Sequence, residues 1–266
     1  MTPDLTTLRA VAEHAARDGG AAALKTYGGS HDEATKANIF DIVTEGDKAS
    51  EAAILPILRA NTRFPIFSEE GGGDEFDAPY IWHVDPIDGT VNYASNLPHF
   101  SVSIALADRD LAPVVGVVFN PVTGEMFSAA RGQGATLNGK PIHASDVRDM
   151  HQALIATGFP SGRRTVRREN NLDAFMAVLP RVRDMRRLGS AALDISFVAC
   201  GRLEAFWEGG MNSWDVLAAL LILSESGGRY SDYDGGTARA VTGKQVVATN
   251  GWLHEELLTT INAARR

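Results

Sequence analysis

Two carboxylates, Asp85 and Asp88, stand three residues apart across a proline in the stretch Tyr80-Ile-Trp-His-Val-Asp-Pro-Ile-Asp-Gly-Thr-Val-Asn-Tyr93. Tyr80 to Val84 is an apolar run of strand character. Pro86 has no amide proton and restrains the residue before it, so the spacing predicts that the strand stops at Asp85. Asp88 then falls in a turn, and Gly89-Thr90 opens a helix. Asp85, Asp88, the Ile87 carbonyl and the Thr90 hydroxyl would face one small volume, and that set of oxygens suits a hard cation such as Mg²⁺. An ordinary turn, with Asp88 or Thr90 capping the helix, accounts for the same residues.

The elements around this stretch bring further acids. Asp41 to Asp47 reads as a short strand or turn that leads into a helix over about 48–59, with Asp47 near its N-terminus as a cap or as a site residue. Phe64 to Phe67 reads as a strand that delivers Ser68-Glu69-Glu70 ahead of the flexible Gly71-Gly72-Gly73. An acidic pair one strand before Asp85 and Asp88 fits a shared metal site better than a solvated loop.

The chain opens with an amphipathic helix over 4–17, capped by Asp4; Gly19-Gly20 interrupt it and Gly28-Gly29 end the helical region. Phe100 to Ala107 alternates large apolar with small residues, the pattern of a strand with one face in the core. Strands at 113–119 and 125–129 follow, and Asn138-Gly139 is a strong hairpin signal. The first half therefore reads as helices followed by an antiparallel meander. From about residue 150 come a strand at 153–156, a helix through Cys200 closed by Gly201, and a strand at 203–207 ending in Glu208. A helix from Trp214-Asp215 to Glu225, a strand at 246–249 and a helix at 252–263 complete the chain.

The 266 residues, 44% hydrophobic and 22% charged, suit one large domain or two intimately packed portions, 1–150 and 151–266. The net charge of −8 argues against general nucleic-acid binding. Eight of the 25 Lys and Arg nevertheless fall between Arg163 and Arg187, a local inversion that suits an anionic substrate, a subunit contact or a solvated helix face. Cys200 is the single cysteine, set among apolar residues as a buried structural thiol. No secretory signal is visible and the longest apolar run, Val216 to Leu223, is too short for a membrane, so a cytoplasmic protein is expected.

Asp47 after a Val-Thr strand, Glu69-Glu70, Asp85-Pro-Ile-Asp88-Gly-Thr90, and Trp214-Asp215 followed by Glu225-Ser-Gly-Gly228 together resemble the inositol monophosphatase family of magnesium-dependent, lithium-sensitive phosphatases. Asn138-Gly-Lys-Pro-Ile142 and Gly189-Ser-Ala-Ala-Leu-Asp194 extend the resemblance over nearly the whole chain. Two departures stand out: Leu217 and Ala219 replace the small residue and the glycine usual after Trp-Asp, and Ser95 stands where many members have histidine.

The resemblance implies a layered α-β-α-β-α sandwich, with an α+β N-terminal portion packed on an α/β C-terminal one. It makes Glu69, Asp85, Asp88, Asp215 and the Ile87 carbonyl ligands of Mg²⁺, with Glu69 also among the catalytic residues and Asp47 and Thr90 orienting the attacking water. Asp88, Gly89, Thr90 and Asp215 would meet the phosphate side of the substrate, and Gly189, Ser190, Ala191 and Glu208 its organic half. The implied activity is hydrolysis of a small phosphate monoester, inositol 1-phosphate first. Histidinol phosphate, fructose 1,6-bisphosphate and 3′-phosphoadenosine 5′-phosphate are the alternatives within the family. The arginines 163, 164, 167 and 168 could serve a second phosphate. A homodimer is implied, with no nucleic-acid or membrane partner. A regulatory protein that works through a partner surface is the non-enzymatic alternative; an acidic calcium module lacks the spacing of an EF-hand loop.

Overall fold

Alternate side chains of the strand Ser101–Asp108 enter two different cores, and this strand explains the layering. Val102, Ile104 and Leu106 pack with Leu8, Ala12, Ile54 and Leu58 on one side, while Ala105 and Ala107 pack with Ala218, Leu221 and Phe206 on the other. The strand is buried on both faces, so the small residues expected to face water instead admit a helix at close range.

The computed structural model describes residues 3–29, 33–35, 42–72, 77–160 and 170–265. Helices are α1 (Leu5–Leu24), α2 (Glu45–Asn61), α3 (Thr90–Ala94), α4 (Leu172–Val178), α5 (Ala191–Ala199), α6 (Ser213–Glu225) and α7 (His254–Ala264). A short antiparallel pair joins β1 (Glu33–Thr35) and β2 (Ile42–Thr44). A seven-stranded sheet runs in chain order through β3 (Ile66–Ser68), β4 (Tyr80–Asp88), β5 (Ser101–Asp108), β6 (Pro113–Asn120), β7 (Glu125–Ala130), β8 (Ala135–Leu137) and β9 (Lys140–Pro141). It is an antiparallel meander except for the parallel β3–β4 pair. A second sheet has the order β11-β10-β12-β14-β13, from β10 (Leu154–Thr157), β11 (Asp184–Arg186), β12 (Ala205–Gly209), β13 (Arg229–Ser231) and β14 (Gln245–Thr249). Helices α1 and α2 cover the outer face of the first sheet, α5 and α6 fill the space between the sheets, and α4 and α7 cover the second sheet. The five layers are those the resemblance implied.

Three local expectations are corrected. Helix α1 runs through Gly19-Gly20, because these glycines are where it touches its neighbours. A Cβ on Gly19 would stand 2.6 Å from Ile54 Cγ1, and one on Gly20 would stand 2.8 Å from Phe119 Cε1. Strand β4 does not stop at Asp85 but passes the proline to Asp88, and its pairing with β5 shifts register between those two residues. The bulge absorbs the missing amide proton. The first strand of the site begins at Ile66, two residues after the apolar run opens at Phe64. Asn138 and Gly139 form the expected hairpin, both with positive φ, 50° and 76°. Cys200 is half-buried with its thiol facing the Phe197 carbonyl, and burial raises its pKa; the site described below does not include it. The arginines 163, 164, 167 and 168, together with Asp41 and Gly73, lie outside the described residues.

Leu217 and Ala219 are fully buried in α6, so the first departure from the family pattern is accommodated in the core between the sheets.

His254 has no exposed surface and sits between the Thr249 hydroxyl at Nδ1, 3.1 Å, and the Ser231 hydroxyl at Nε2, 2.9 Å. Burial, aided by Arg229, lowers its pKa from 6.5 to about 4. The unfolded chain takes up this proton near pH 6.5 and the folded one resists until about pH 4. Stability is therefore full above pH 6.5 and falls as the pH drops through that window. The expected loss from this group is about 2 kcal/mol by pH 4.5. Urea midpoints measured from pH 7 to 4.5 check it: His254→Gln should flatten the slope, and an unchanged slope contradicts the assignment.

Candidate active site

Strand pairing places the first two carboxylates. Parallel pairing sets Ser68 beside Val84, and the Glu69 amide donates to the Val84 carbonyl at 3.0 Å, so Glu69 emerges next to Asp85. On the other side Asp85 pairs with Ser103, whose hydroxyl donates to the Trp214 carbonyl at 2.9 Å. That contact pins the start of α6, and with it Asp215, against the same spot. Carboxylate oxygens of Glu69, Asp85 and Asp215 accordingly lie within 4.8 Å of one another. Three residues separated by as many as 146 positions in sequence meet through two strand registers and one helix start.

Two of the site's acids are seated by the same device. Asn212 and Asp215 form a capping box at the start of α6, with the Asn212 amide donating to Asp215 Oδ2 at 2.6 Å. Thr44 and Asp47 form another at the start of α2: the Thr44 amide and hydroxyl donate to Asp47 Oδ2 at 2.8 and 2.6 Å. Asp47 thus occupies the third helical position instead of the cap itself. The box uses Oδ2 and leaves Oδ1 facing the Thr90 hydroxyl, 3.4 Å away. That hydroxyl also lies 3.1 Å from the Ile87 carbonyl oxygen. The cap of α3 is Gly89, left-handed at φ 97° and without a side-chain cap, so neither Asp88 nor Thr90 serves as an N-cap. Helix α3 spans only five residues.

Asp88 lies apart from the tight trio. Its Oδ2 accepts hydrogen bonds from the Ser190 hydroxyl and from the Ala192 amide at 2.8 Å, at the start of α5. Ser190 is fully buried, so its hydroxyl holds Asp88 in place. Gly189 and Ala191 flank it. Asn92, which the sequence reading passed over, ties this segment to the site by donating to the Leu188 carbonyl at 2.8 Å and the His99 carbonyl at 2.7 Å. His99 Nε2 and Asp194 Oδ1 stand 3.1 Å apart. Ser95 is exposed at the C-terminal end of α3.

Glu208, at the end of β12, is half-buried, and burial pushes its pKa up to about 8 against the pull of Arg187. Its carboxyl rests on Gly158: a Cβ there would come within 1.7 Å of Glu208 Oε2. Only glycine leaves that seat open, a dependence visible only once the two strands are side by side.

The donor set fits a divalent cation. Burial, then the Glu69 charge and the neighbouring aspartates, hold Asp85 and Asp215 well above the usual carboxylate range. Asp88 is pushed up to about 6, chiefly by burial. Asp47 is likewise raised to about 6 by burial, with Glu70 and Glu69 adding. Acids crowded so that each opposes its neighbours' ionisation form a site that a hard cation would relieve, and all the donors are oxygen.

A sequence model of the inositol monophosphatase family matches residues 4–266. The chain is 40% identical over 265 residues to an inositol-1-monophosphatase of Synechocystis sp., covering 98% of this chain and 90% of the relative. It is 40% identical over 226 residues to the Nus factor SuhB of Pseudomonas aeruginosa, covering 83% of each. Among solved structures, an inositol monophosphatase from Anabaena (Nostoc) sp. superposes with a TM-score of 0.87 at 38% identity, over 98% of this chain and 97% of that one.

Proposed function

The chain belongs to the inositol monophosphatase family and is a phosphoric monoester hydrolase, and on that premise we propose that it cleaves a small polyol phosphate, inositol 1-phosphate before others, with Mg²⁺ as the metal. The convergence of Glu69, Asp85 and Asp215 supports this reading most. Asp88 and the Ile87 carbonyl complete the proposed ligand set. Bound there, Mg²⁺ supplies charge neutralisation for a phosphate dianion, an acidified water and stabilisation of the departing alkoxide.

The protein's own residues do the positioning. Thr90 Oγ1, placed between Asp47 Oδ1 and the Ile87 carbonyl, holds the attacking water by accepting one of its protons, and Asp47 Oδ1 accepts the Thr90 proton in turn. The Gly89 and Thr90 amides stand at the phosphate side. Residues 1–150 carry this half of the site, and residues 151–266 add Asp215 and the wall of Gly189, Ala191 and Glu208. Burial raises the Glu208 carboxyl to about 8, and a carboxyl in that range can donate to a substrate hydroxyl as well as accept from one.

Two measurements test the substrate. Phosphate release in Mg²⁺ should favour myo-inositol 1-phosphate over histidinol phosphate, fructose 1,6-bisphosphate and 3′-phosphoadenosine 5′-phosphate by about a hundredfold in kcat/KM, or roughly 2.7 kcal/mol. A preference for histidinol phosphate overturns the assignment. Glu208→Ala should lower kcat/KM for the polyol ester by roughly thirtyfold, the worth of about 2 kcal/mol in hydrogen bonds. It should leave p-nitrophenyl phosphate hydrolysis nearly unchanged; equal losses on both substrates contradict a role in reading hydroxyls. Lithium should inhibit.

Relatives named Nus factor SuhB favour a second, regulatory role through a protein partner. Rescue of a deletion phenotype by Asp215→Asn would support it, and failure of rescue would tie the phenotype to catalysis. We also assign a homodimer in the cytoplasm. Val91 and Leu172, 53% and 48% exposed, line one groove that a second copy would cover, and among the described residues no helix is long and apolar enough to cross a membrane. Light scattering that returns a monomer at micromolar concentration contradicts the dimer.

A further inference from the structure

Across the second sheet from the carboxylates, β12, the segments after β13 and before β14, and the last turn of α7 enclose a cavity of about 380 Å³. Side chains alternate along β12: Phe206 joins the core shared with α5 and α6, and Trp207 joins the core shared with α7. Glu208 therefore points to the substrate side, and Gly209 lies on the opposite face with Tyr233. The cavity is lined by Tyr233, Lys244 and Arg265, with Pro160, Gly209 and Gln245 beside them.

Tyr233 is 4% exposed, yet its hydroxyl has no hydrogen-bond partner. Leaving a buried hydroxyl unpaired costs about 1–3 kcal/mol, so a group that accepts from it would be favoured there. Burial raises the phenol above its ordinary value and keeps it a donor. The Arg265 guanidinium lies 4.3 Å from the centre of the same ring. Lys244 Nζ donates to the Met211 carbonyl at 3.1 Å and to Asn212 Oδ1 at 3.2 Å, which leaves its third proton free. Among the described residues neither cation has a carboxylate partner, and no acid lines the cavity. A Cβ on Gly209 would stand 3.0 Å from the Lys244 carbonyl and 3.5 Å from the Tyr233 hydroxyl, so glycine keeps the floor open.

We propose that the cavity bounded by Tyr233, Lys244 and Arg265 is a second anion site, which takes a phosphate group independently of the carboxylate cluster. Two positive charges that have no carboxylate partner among the described residues match a dianion, and a phenol, an ammonium and a guanidinium lining one cavity offer a phosphate more donors than a single carboxylate could accept. The ligand class is a free phosphate or a small phosphorylated metabolite. The site does not depend on the identity of the metal or of the substrate.

Calorimetric titration of the full chain with inorganic phosphate separates the two sites. In Mg²⁺ both the metal-side and the cavity sites should bind; after chelation the cavity site alone should persist. Lys244→Gln and Arg265→Gln should each weaken the chelator-resistant binding by about tenfold, and Tyr233→Phe should weaken it while raising the thermal midpoint of the ligand-free protein, because the unpaired hydroxyl is gone. Asp215→Asn should leave it intact. Loss of all phosphate binding on chelation overturns the proposal, and so does residual binding that none of the three cavity variants alters. Inorganic phosphate and myo-inositol 1-phosphate, titrated in parallel in chelator, distinguish a free-phosphate site from one that prefers a phosphorylated metabolite.

Discussion

Asp85→Asn is expected to fold normally and to lose phosphatase activity by about a thousandfold or more, or at least about 4 kcal/mol of transition-state stabilisation. Asp85 is buried, sits between Glu69 and Asp215, and also accepts from the Ile87 amide at 3.0 Å, so it shapes the turn as well as the site. Asparagine keeps the size and the acceptor oxygen of that turn contact while removing a charge that its neighbours oppose. The variant without metal should therefore melt no lower than wild type, and it should lose the stabilisation that Mg²⁺ confers by binding the folded state. A melting curve with and without Mg²⁺, read beside phosphate release, tests both halves. Turnover near the wild-type rate would remove Asp85 from the ligand set, and collapse of the fold would show that its role is structural.

Gly116→Val is expected to cost about 3 kcal/mol or more and to abolish activity from a position that touches no substrate. Gly116 lies on β6 where α6 crosses it, and a Cβ there would come 2.5 Å from the Ala218 carbonyl oxygen and 3.0 Å from its Cα. Both are backbone atoms, so no rotamer change relieves the collision and the helix must move. Helix α6 carries Asp215 at its first turn. Moving it draws Asp215 away from Glu69 and Asp85. Urea unfolding measures the first effect and phosphate release the second; a variant of wild-type stability and activity would show that the helix does not depend on this close approach.

Part of the candidate site was legible before the structure because it is written locally. Asp85, Asp88 and Thr90 share one short stretch, and Thr44-Glu-Gly-Asp47 and Asn212-Ser-Trp-Asp215 both carry the spacing of a capping box, a pattern a reader can find without coordinates. The layers were legible through resemblance, while the alternation of Val102, Ile104 and Leu106 showed the strand but only one of its two buried faces. What was not legible depended on distant backbones. Gly19, Gly20, Gly116 and Gly158 look alike in sequence, as breakers or loose points, yet each is a glycine because another element or side chain passes within contact distance. The same holds for Ser190 beneath Asp88, which the resemblance placed beside the organic half of the substrate. The strand end assigned to Pro86 failed for a related reason. A bulge opposite β5 tolerates proline where a regular ladder would not, and no local signal announces the bulge.

The central claim, that the chain is a metal-dependent phosphomonoesterase centred on Glu69, Asp85 and Asp215, is tested most directly by steady-state phosphate release from myo-inositol 1-phosphate as Mg²⁺ is titrated into chelator-treated protein. The expected result is no release without metal and saturable recovery as Mg²⁺ is added. Undiminished turnover in chelator, or no turnover at any Mg²⁺ concentration, would contradict the account.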